Sequence, residues 1–379
     1  MNNKSIQEFS LKISNLASQG LWFPNSSEKM SGVAVEPEVT EIQTYINARK
    51  GFDRGLIDEN RLNNLPGSSL KHSISDRARG ALIGTAVGDA LGTTIEFSTP
   101  GTFEPVTEIT GGGPFKLKSG EWTDDSSMML CLAHSLTRKG TFDLKDQIDL
   151  YVKWWKEGAF SVTASCFDIG MTVQSALQEY QQTGNPEAGP DDPYSAGNGS
   201  LMRLAPIPVF FHSNFEEAVY YSGKSSLTTH RATEAVDACR YFGGLIWGAL
   251  NGASKDELLD DLYTPVPGYW DKKPLCDSVA DLIRNENYKY KSASEVRGSG
   301  YVMHSLEAVL WAFSTTDTFE EGLLKAVNLG EDADTTGAIF GQIGGAYYGE
   351  QGIPQRWVSK VKHNYFFYMK ADELIKISS

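Results

Sequence analysis

Asp332-Ala333-Asp334-Thr335-Thr336-Gly337-Ala338-Ile339-Phe340-Gly341-Gln342-Ile343-Gly344-Gly345-Ala346-Tyr347 reads as an acidic loop that enters a helix over Thr336 to Tyr347. That helix is unusually rich in glycine and alanine, and each glycine costs roughly 1 kcal/mol relative to alanine. A helix of this composition is sensible only where other backbones approach it closely, as beneath a tightly built site. The stretch therefore predicts dense helix packing with two aspartates and a threonine at the helix entry.

From about Asp76 onward the chain reads as helices joined by Gly- and Pro-containing loops. Asp143 to Glu157 places Leu144, Ile148, Tyr151, Val152 and Trp155 on a 3.6-residue rhythm. Ala232 to Leu250, Tyr301 to Phe313 and Phe319 to Leu329 share the helical pattern, the last after a Thr318-x-x-Glu321 capping box. Val106 to Thr110 is the best short strand candidate. These patterns predict an all-α domain over residues 76–379, with no internal repeat. Residues 1–75 differ. Ile6, Phe9, Ile13 and Leu16 mark one amphipathic helix, and Val39, Ile42 and Ile46 a second, within a polar stretch. This N-terminal extension is expected to dock on its own domain or on a partner.

The 379 residues are 40% hydrophobic and 22% charged, within the globular range. No window approaches the roughly 18 apolar residues of a membrane span. The polar start Met1-Asn2-Asn3-Lys4 shows no secretory signal, so the cytoplasm is the expected location. With 34 basic and 48 acidic residues, the net charge of −14 disfavours a phosphate backbone as partner. Cys131, Cys166, Cys239 and Cys276 form no C-x-x-C pair, which leaves buried reduced thiols as the expectation.

A second acidic motif, Trp122-Thr123-Asp124-Asp125, precedes the apolar run Met128 to Leu132 and also reads as a helix N-terminus. Taken alone, either motif is most simply a helix cap. Together they offer Thr123, Asp124, Asp125, Asp332, Asp334 and Thr335, all hard oxygen donors suited to Mg²⁺ or Mn²⁺ and poor for zinc. Four aspartates would nearly balance two divalent cations. Neither motif continues into an EF-hand loop, and no H-E-x-x-H, G-x-S-x-G or Walker loop is present. The Trp154-Trp155 and Met128-Met129 pairs are expected in the core.

The ordered motifs resemble a known family. They are Arg79 to Gly84, Gly88-Asp89-Ala90-Leu91-Gly92 followed by Glu96-Phe97, Gly120 to Asp125, Cys166 to Gly170, Gly197 to Arg203, Thr229-His230, Gly300-Tyr301 and Asp332 to Gly337. From about Arg77 to Trp357 the chain resembles the ADP-ribosylglycohydrolases, particularly the dinitrogenase reductase-activating glycohydrolase type. The resemblance implies an all-α orthogonal bundle with a dinuclear magnesium cleft. It implies hydrolysis of the N-glycosidic bond between ADP-ribose and a modified side chain, usually arginine. The six residues of the two motifs become metal ligands, with Asp125 also counted among the catalytic carboxylates. Asp168 matches an acidic residue near the scissile bond, and Glu96 a glutamate of the same cleft. Gly111, Gly112 and Gly113 are expected to offer backbone N–H groups to the diphosphate. Asn198, Gly199, Ser200 and Met202 resemble a phosphate and ribose loop, and Tyr301 is placed to stack on adenine. His230 is either a ligand contact or a satisfied core histidine. Ala333 is not expected to bind metal, whereas Glu331 adds charge that could tune metal affinity.

Two other roles compete. Some immunity proteins of the family carry an N-terminal extension that blocks an ADP-ribosyltransferase toxin, so residues 1–75 could bind such a toxin with or without catalysis by the core. Hydrolysis of another ADP-ribose derivative is the further alternative. A non-catalytic relative is disfavoured because all six ligand positions are retained.

Overall fold

The computed structural model describes residues 72–378, and the two helices expected within residues 1–75 lie outside that range. In chain order the helices begin with α1 (Ile74–Gly92), α2 (Asp124–Lys139), α3 (Leu144–Glu157) and α4 (Met171–Thr183). Next come α5 (Pro206–Phe210), α6 (Phe215–Ser226), α7 (Thr233–Leu250), and the short α8 (Lys255–Leu258) and α9 (Tyr269–Lys272). α10 (Asp277–Asn285), α11 (Val302–Ser314), α12 (Phe319–Val327) and α13 (Ala333–Tyr348) lead to α14 (Gln355–Val358) and α15 (Tyr365–Ile377). Among the described residues the protein is all-helical, with only two isolated bridges, Gly112 to Leu117 and Gly197 to Tyr301.

The helices expected from Asp76 onward form, and their ends follow local chemistry. Asp143 caps α3 by accepting from Asp146 N at 3.0 Å, and Gly158 closes it at φ +71°. Thr318 caps α12 from Glu321 N at 3.1 Å, but Glu321 accepts from Asp317 N rather than from the cap residue, so the box is half made. Val106 to Thr110 is not a strand. Its backbone is held by a side chain instead: Asn328 Oδ1 accepts from Val106 N at 2.7 Å and Asn328 Nδ2 donates to Val106 O at 2.9 Å.

The centre of the domain is the pair α1 and α13. Both are buried on nearly every side, including α1 from Ala78 through Gly92. Glycines meet across them at four-residue intervals and in antiparallel register. A Cβ on Gly80 would lie 2.2 Å from Gly345 O, on Gly84 2.3 Å from Gly341 O, and on Gly88 2.0 Å from Gly337 O. Any side chain at these positions would push the helices apart. The close backbone approach expected around α13 is thus supplied by α1.

Two fastenings then fix the elements that reach the site. Arg79 of α1 donates to Asp372 of α15 through Nε at 2.7 Å and Nη2 at 2.6 Å. Trp122, fully buried, donates from its indole nitrogen to Lys362 O at 2.9 Å, which anchors the chain just before α2. Trp154, Met128 and Met129 are core residues, whereas Trp155, expected there too, is half-buried under Lys156. All four cysteines are free, Cys131 and Cys239 buried and Cys166 and Cys276 half-buried. No described helix is long and apolar enough to cross a membrane.

Candidate active site

α2 begins at Asp124 with Thr123 in the cap position, yet the Thr123 side chain makes no capping hydrogen bond. The cap comes from another helix. Asp89, wholly buried near the end of α1, accepts from Thr123 N at 2.8 Å and from Ser126 N at 3.1 Å. It also accepts from Thr123 Oγ1 at 3.0 Å and Ser126 Oγ at 2.6 Å. The amides of Thr123 and Ser126 are therefore satisfied from another helix, and no carboxylate of the motif itself caps α2. Thr123 Oγ1 lies 3.0 Å from Asp125 Oδ2 and 3.4 Å from Asp334 Oδ2. The capping reading of this motif fails because Asp89 does the capping.

α13 begins at Ala333, three residues earlier than its composition predicts, so Asp334 and Thr335 occupy its first turn. Asp332 precedes it, again without a side-chain cap. Asp332 N donates to Gly298 O at 2.8 Å, and Asp332 Oδ2 accepts from Asn198 Nδ2 at 2.7 Å. Asp334 Oδ1 accepts from Thr335 N at 2.8 Å, leaving Oδ2 toward Thr123. The preceding segment pairs with the residues after Glu96: Phe97 N donates to Glu331 O at 2.6 Å and Glu331 N to Ser98 O at 2.8 Å. That pairing brings Glu96 into the same cleft. The Glu331 side chain, by contrast, is tied up by Arg297 at the surface.

The carboxylates form two groups that share one member. Oxygens of Asp89, Asp125 and Asp334 lie within 4.8 Å of one another, and so do those of Glu96, Asp168 and Asp334. Burial is the main reason their acidities weaken, and mutual repulsion adds to it. Asp125 and Asp334 rise well above the ordinary aspartate range, as does Asp124, pressed further by Asp168 and Asp125. Glu96 is pushed up to about 9 by burial and by Asp168 and Asp332. Asp168 rises to about 6 through burial and the neighbouring aspartates. Asp89 also reaches about 6, because burial outweighs the four donors that favour its anion. Asp332 is raised by burial against the pull of Asn198. Two buried oxygens, Asp125 Oδ1 and Glu96 Oε2, have no hydrogen-bond partner. Buried acceptors without donors, crowded among like charges, fit a divalent cation and fit little else.

The expected ligand residues divide into two kinds. Asn198 is hooked to Asp332 and to Ser305 Oγ at 2.9 Å, and its backbone N donates to Gly300 O at 3.1 Å beside Tyr301. Tyr301 is partly exposed, with its hydroxyl donating to Glu234 at 2.7 Å. Gly111, Gly112 and Gly113 all have positive φ; the turn packs on Thr93 at the end of α1, and only Gly112 faces open space. Ser200, Met202 and His230 have buried side chains. The Met202 carbonyl accepts from Gln342 of α13 at 2.7 Å, and Ser200 Oγ lies 2.8 Å from Ser226 Oγ. Asp89, Ser126 and Arg203 were not assigned roles from the sequence. Asp89 lies within Gly88-Asp89-Ala90-Leu91-Gly92, where nothing local marks it as the cap of a helix more than thirty residues away.

The model of the ADP-ribosylglycohydrolases matches residues 70–378. The chain belongs to the ADP-ribosylglycohydrolase family. It is 42% identical to ADP-ribosylarginine hydrolase Tri1 of Pseudomonas putida strain GB-1, over 79% of this chain and 78% of that one. It is 33% identical to ADP-ribosyl-[dinitrogen reductase] glycohydrolase of Rhodospirillum rubrum, over 76% of this chain and 91% of that one. A solved structure titled ADP-ribosylglycohydrolase-related protein complex superposes with a TM-score of 0.71 at 39% identity, covering 81% of this chain and 99% of that one. The chain is accordingly a glycohydrolase, and its all-helical fold is the family's.

Proposed function

We propose that this glycohydrolase removes ADP-ribose from arginine side chains by hydrolysing the N-glycosidic bond, with two magnesium ions, or manganese in their place, held by the converged carboxylates. The observation that carries the reading is the meeting of two three-carboxylate groups at Asp334, with hydroxyls from Thr123 at the α2 cap and Thr335 in the first turn of α13. Identity of 42% to a relative named for arginine-linked ADP-ribose supports the choice of substrate.

When bound, the cations would orient the ribose hydroxyls and favour deprotonation of a nearby water near neutral pH. The chain's own residues do the rest. Water adds to the anomeric carbon, the C–N bond breaks, and the guanidine nitrogen keeps the bonding pair and ends protonated. Asp168 accepts a hydrogen bond from the guanidinium, and its neighbour Glu96 can hold or pass a proton at the same mouth. Both carboxylates also stabilise the oxocarbenium character that develops at the ribose. Asn198 ties the loop to Asp332, a contact that would set diphosphate and ribose relative to the cations when both are bound. Tyr301 offers a partly exposed ring for the adenine.

The test is release of ADP-ribose from ADP-ribosyl-arginine protein with Mg²⁺, beside a variant carrying Asp332→Ala and Asp334→Ala. Equal release by the two proteins would sink the cation-dependent mechanism. A second reading concerns the N-terminus, because the family match begins only at residue 70. The N-terminal extension, residues 1–75, then serves a separate partner, an ADP-ribosyltransferase toxin. A deletion that stops at residue 70 keeps Ser73, whose side chain caps α1 from Asp76 N at 3.1 Å. It should abolish tight toxin binding and spare hydrolysis; binding that survives the deletion refutes this second role.

A further inference from the structure

Arg203 is 1% exposed and lies behind the Gly197 to Ser200 loop. Its acceptors are neutral. Nη1 donates to Gly199 O at 3.0 Å, and Nη2 donates to Thr228 Oγ1 at 3.0 Å and to Thr229 Oγ1 at 2.7 Å. The guanidinium rests on the Tyr151 ring at 4.5 Å. A buried cation held by a carbonyl, two hydroxyls and an aromatic face is a costly way to build a core, so its geometry calls for a use.

The proton inventory supplies one. Thr229 Oγ1 also lies 2.8 Å from His230 Nδ1. Guanidinium only donates, so Thr229 must accept from Arg203 and has one proton left to give. Nδ1 is the acceptor that the fold sets before that buried proton, so pairing it makes Nδ1 the acceptor. Neutral His230 therefore carries its proton on Nε2. That nitrogen sits under the loop: a Cβ on Gly197 would come within 3.1 Å of Nε2, and one on Gly199 within 3.3 Å. Both positions are glycine, which leaves the imidazole edge against the loop backbone. Burial, aided by Arg203, lowers the His230 pKa to about 3, so the ring stays neutral across the working range.

We propose that Arg203, acting through Thr229, is a positioning residue that fixes His230 as the Nε2–H tautomer beneath the Gly197 to Ser200 loop, where an anionic ligand requires a donor. The opposite tautomer would turn a lone pair toward the loop and repel a diphosphate. This rests on the reading of that loop as the site for the diphosphate of ADP-ribose.

The experiment uses the full chain labelled with ¹⁵N-histidine, with the His230 resonances identified by their loss in His230→Gln. Wild type should show protonated Nε2 and bare Nδ1. Thr229→Val, which keeps the shape and removes the hydroxyl, should lose that single tautomer. It should raise both KM for ADP-ribosyl-arginine and Kd for ADP-ribose about tenfold, the size of one lost polar contact, with kcat within about twofold. Thr229→Ser should restore all three. Wild type protonated on Nδ1 overturns the proposal without any variant, and so does a Thr229→Val protein with unchanged Kd. Absence of hydrolysis by wild type would count against the proposed activity instead, since the tautomer and the ADP-ribose affinity remain measurable.

Discussion

Thr123–Asp125 and Asp332–Thr335 look like the same object in the sequence, yet the fold builds them in opposite ways. The first is capped by a residue of another helix, Asp89, so none of its own side-chain oxygens is spent on the α2 amides. The second is largely self-contained: Asp334 accepts from the amide of Thr335, Thr336 Oγ1 donates to Asp332 O at 2.8 Å, and the outside help is Asn198 on Asp332. A helix N-terminus needs acceptors, and a cation site needs unoccupied acceptors. α2 resolves the conflict by borrowing a cap, whereas α13 divides one carboxylate between both uses.

The largest effect should come from the carboxylate that both groups share. Asp334→Asn is expected to lower kcat/KM roughly a thousandfold, as several kcal/mol of charge stabilisation would be lost with the cations. Steady-state hydrolysis at saturating Mg²⁺ checks this, and a change below about tenfold would mean that Asp334 is not common to both sites. Asp89→Asn should weaken cation binding by about 10- to 100-fold, the usual size for a residue that orients ligands. Calorimetric titration with Mn²⁺ measures it. An effect as large as that of Asp334→Asn would make Asp89 a direct ligand and erase the contrast between cap and site.

A smaller effect should appear in the stability of the cation-free protein. Asp89 and Asp168 move from an ordinary 3.8 to about 6, and Glu96 from 4.5 to about 9. A carboxyl whose folded pKa is raised contributes stability while protonated and loses it as pH rises through that pKa. In EDTA the melting temperature should therefore fall as pH rises from about 4 to about 9, and saturating Mg²⁺ should flatten the slope. The same slope with and without Mg²⁺ would separate the carboxylates from the cations. The least effect is expected from Glu331→Gln. Its side chain pairs with Arg297 at the surface, where ion pairs contribute little, so Mn²⁺ affinity should change less than about twofold.

Much of the site was readable because it uses residue types with few other purposes in such a pattern. Paired aspartates beside threonines at two helix entries, and motifs in family order, named the metal-binding candidates and the cleft. The strand expected at Val106 to Thr110 failed because alternation does not reveal that Asn328 will satisfy the backbone in place of a neighbouring strand. His230 stayed ambiguous because its role depends on Arg203 and two glycines, which meet it only in the fold.

The sequence by itself determined that the domain is helical and that hard oxygen donors stand at two helix entries, since periodicity and donor chemistry are local properties. It even contained both halves of the central glycine register, at Gly80, Gly84 and Gly88 and at Gly337, Gly341 and Gly345, though only the second half stood out. Tertiary structure alone decided which residue caps α2, and therefore which carboxylates remain open to a cation. The reason is steric: α1 and α13 touch backbone to backbone, and that approach brings Asp89, one residue beyond Gly88, to the same point as Asp334, three residues before Gly337.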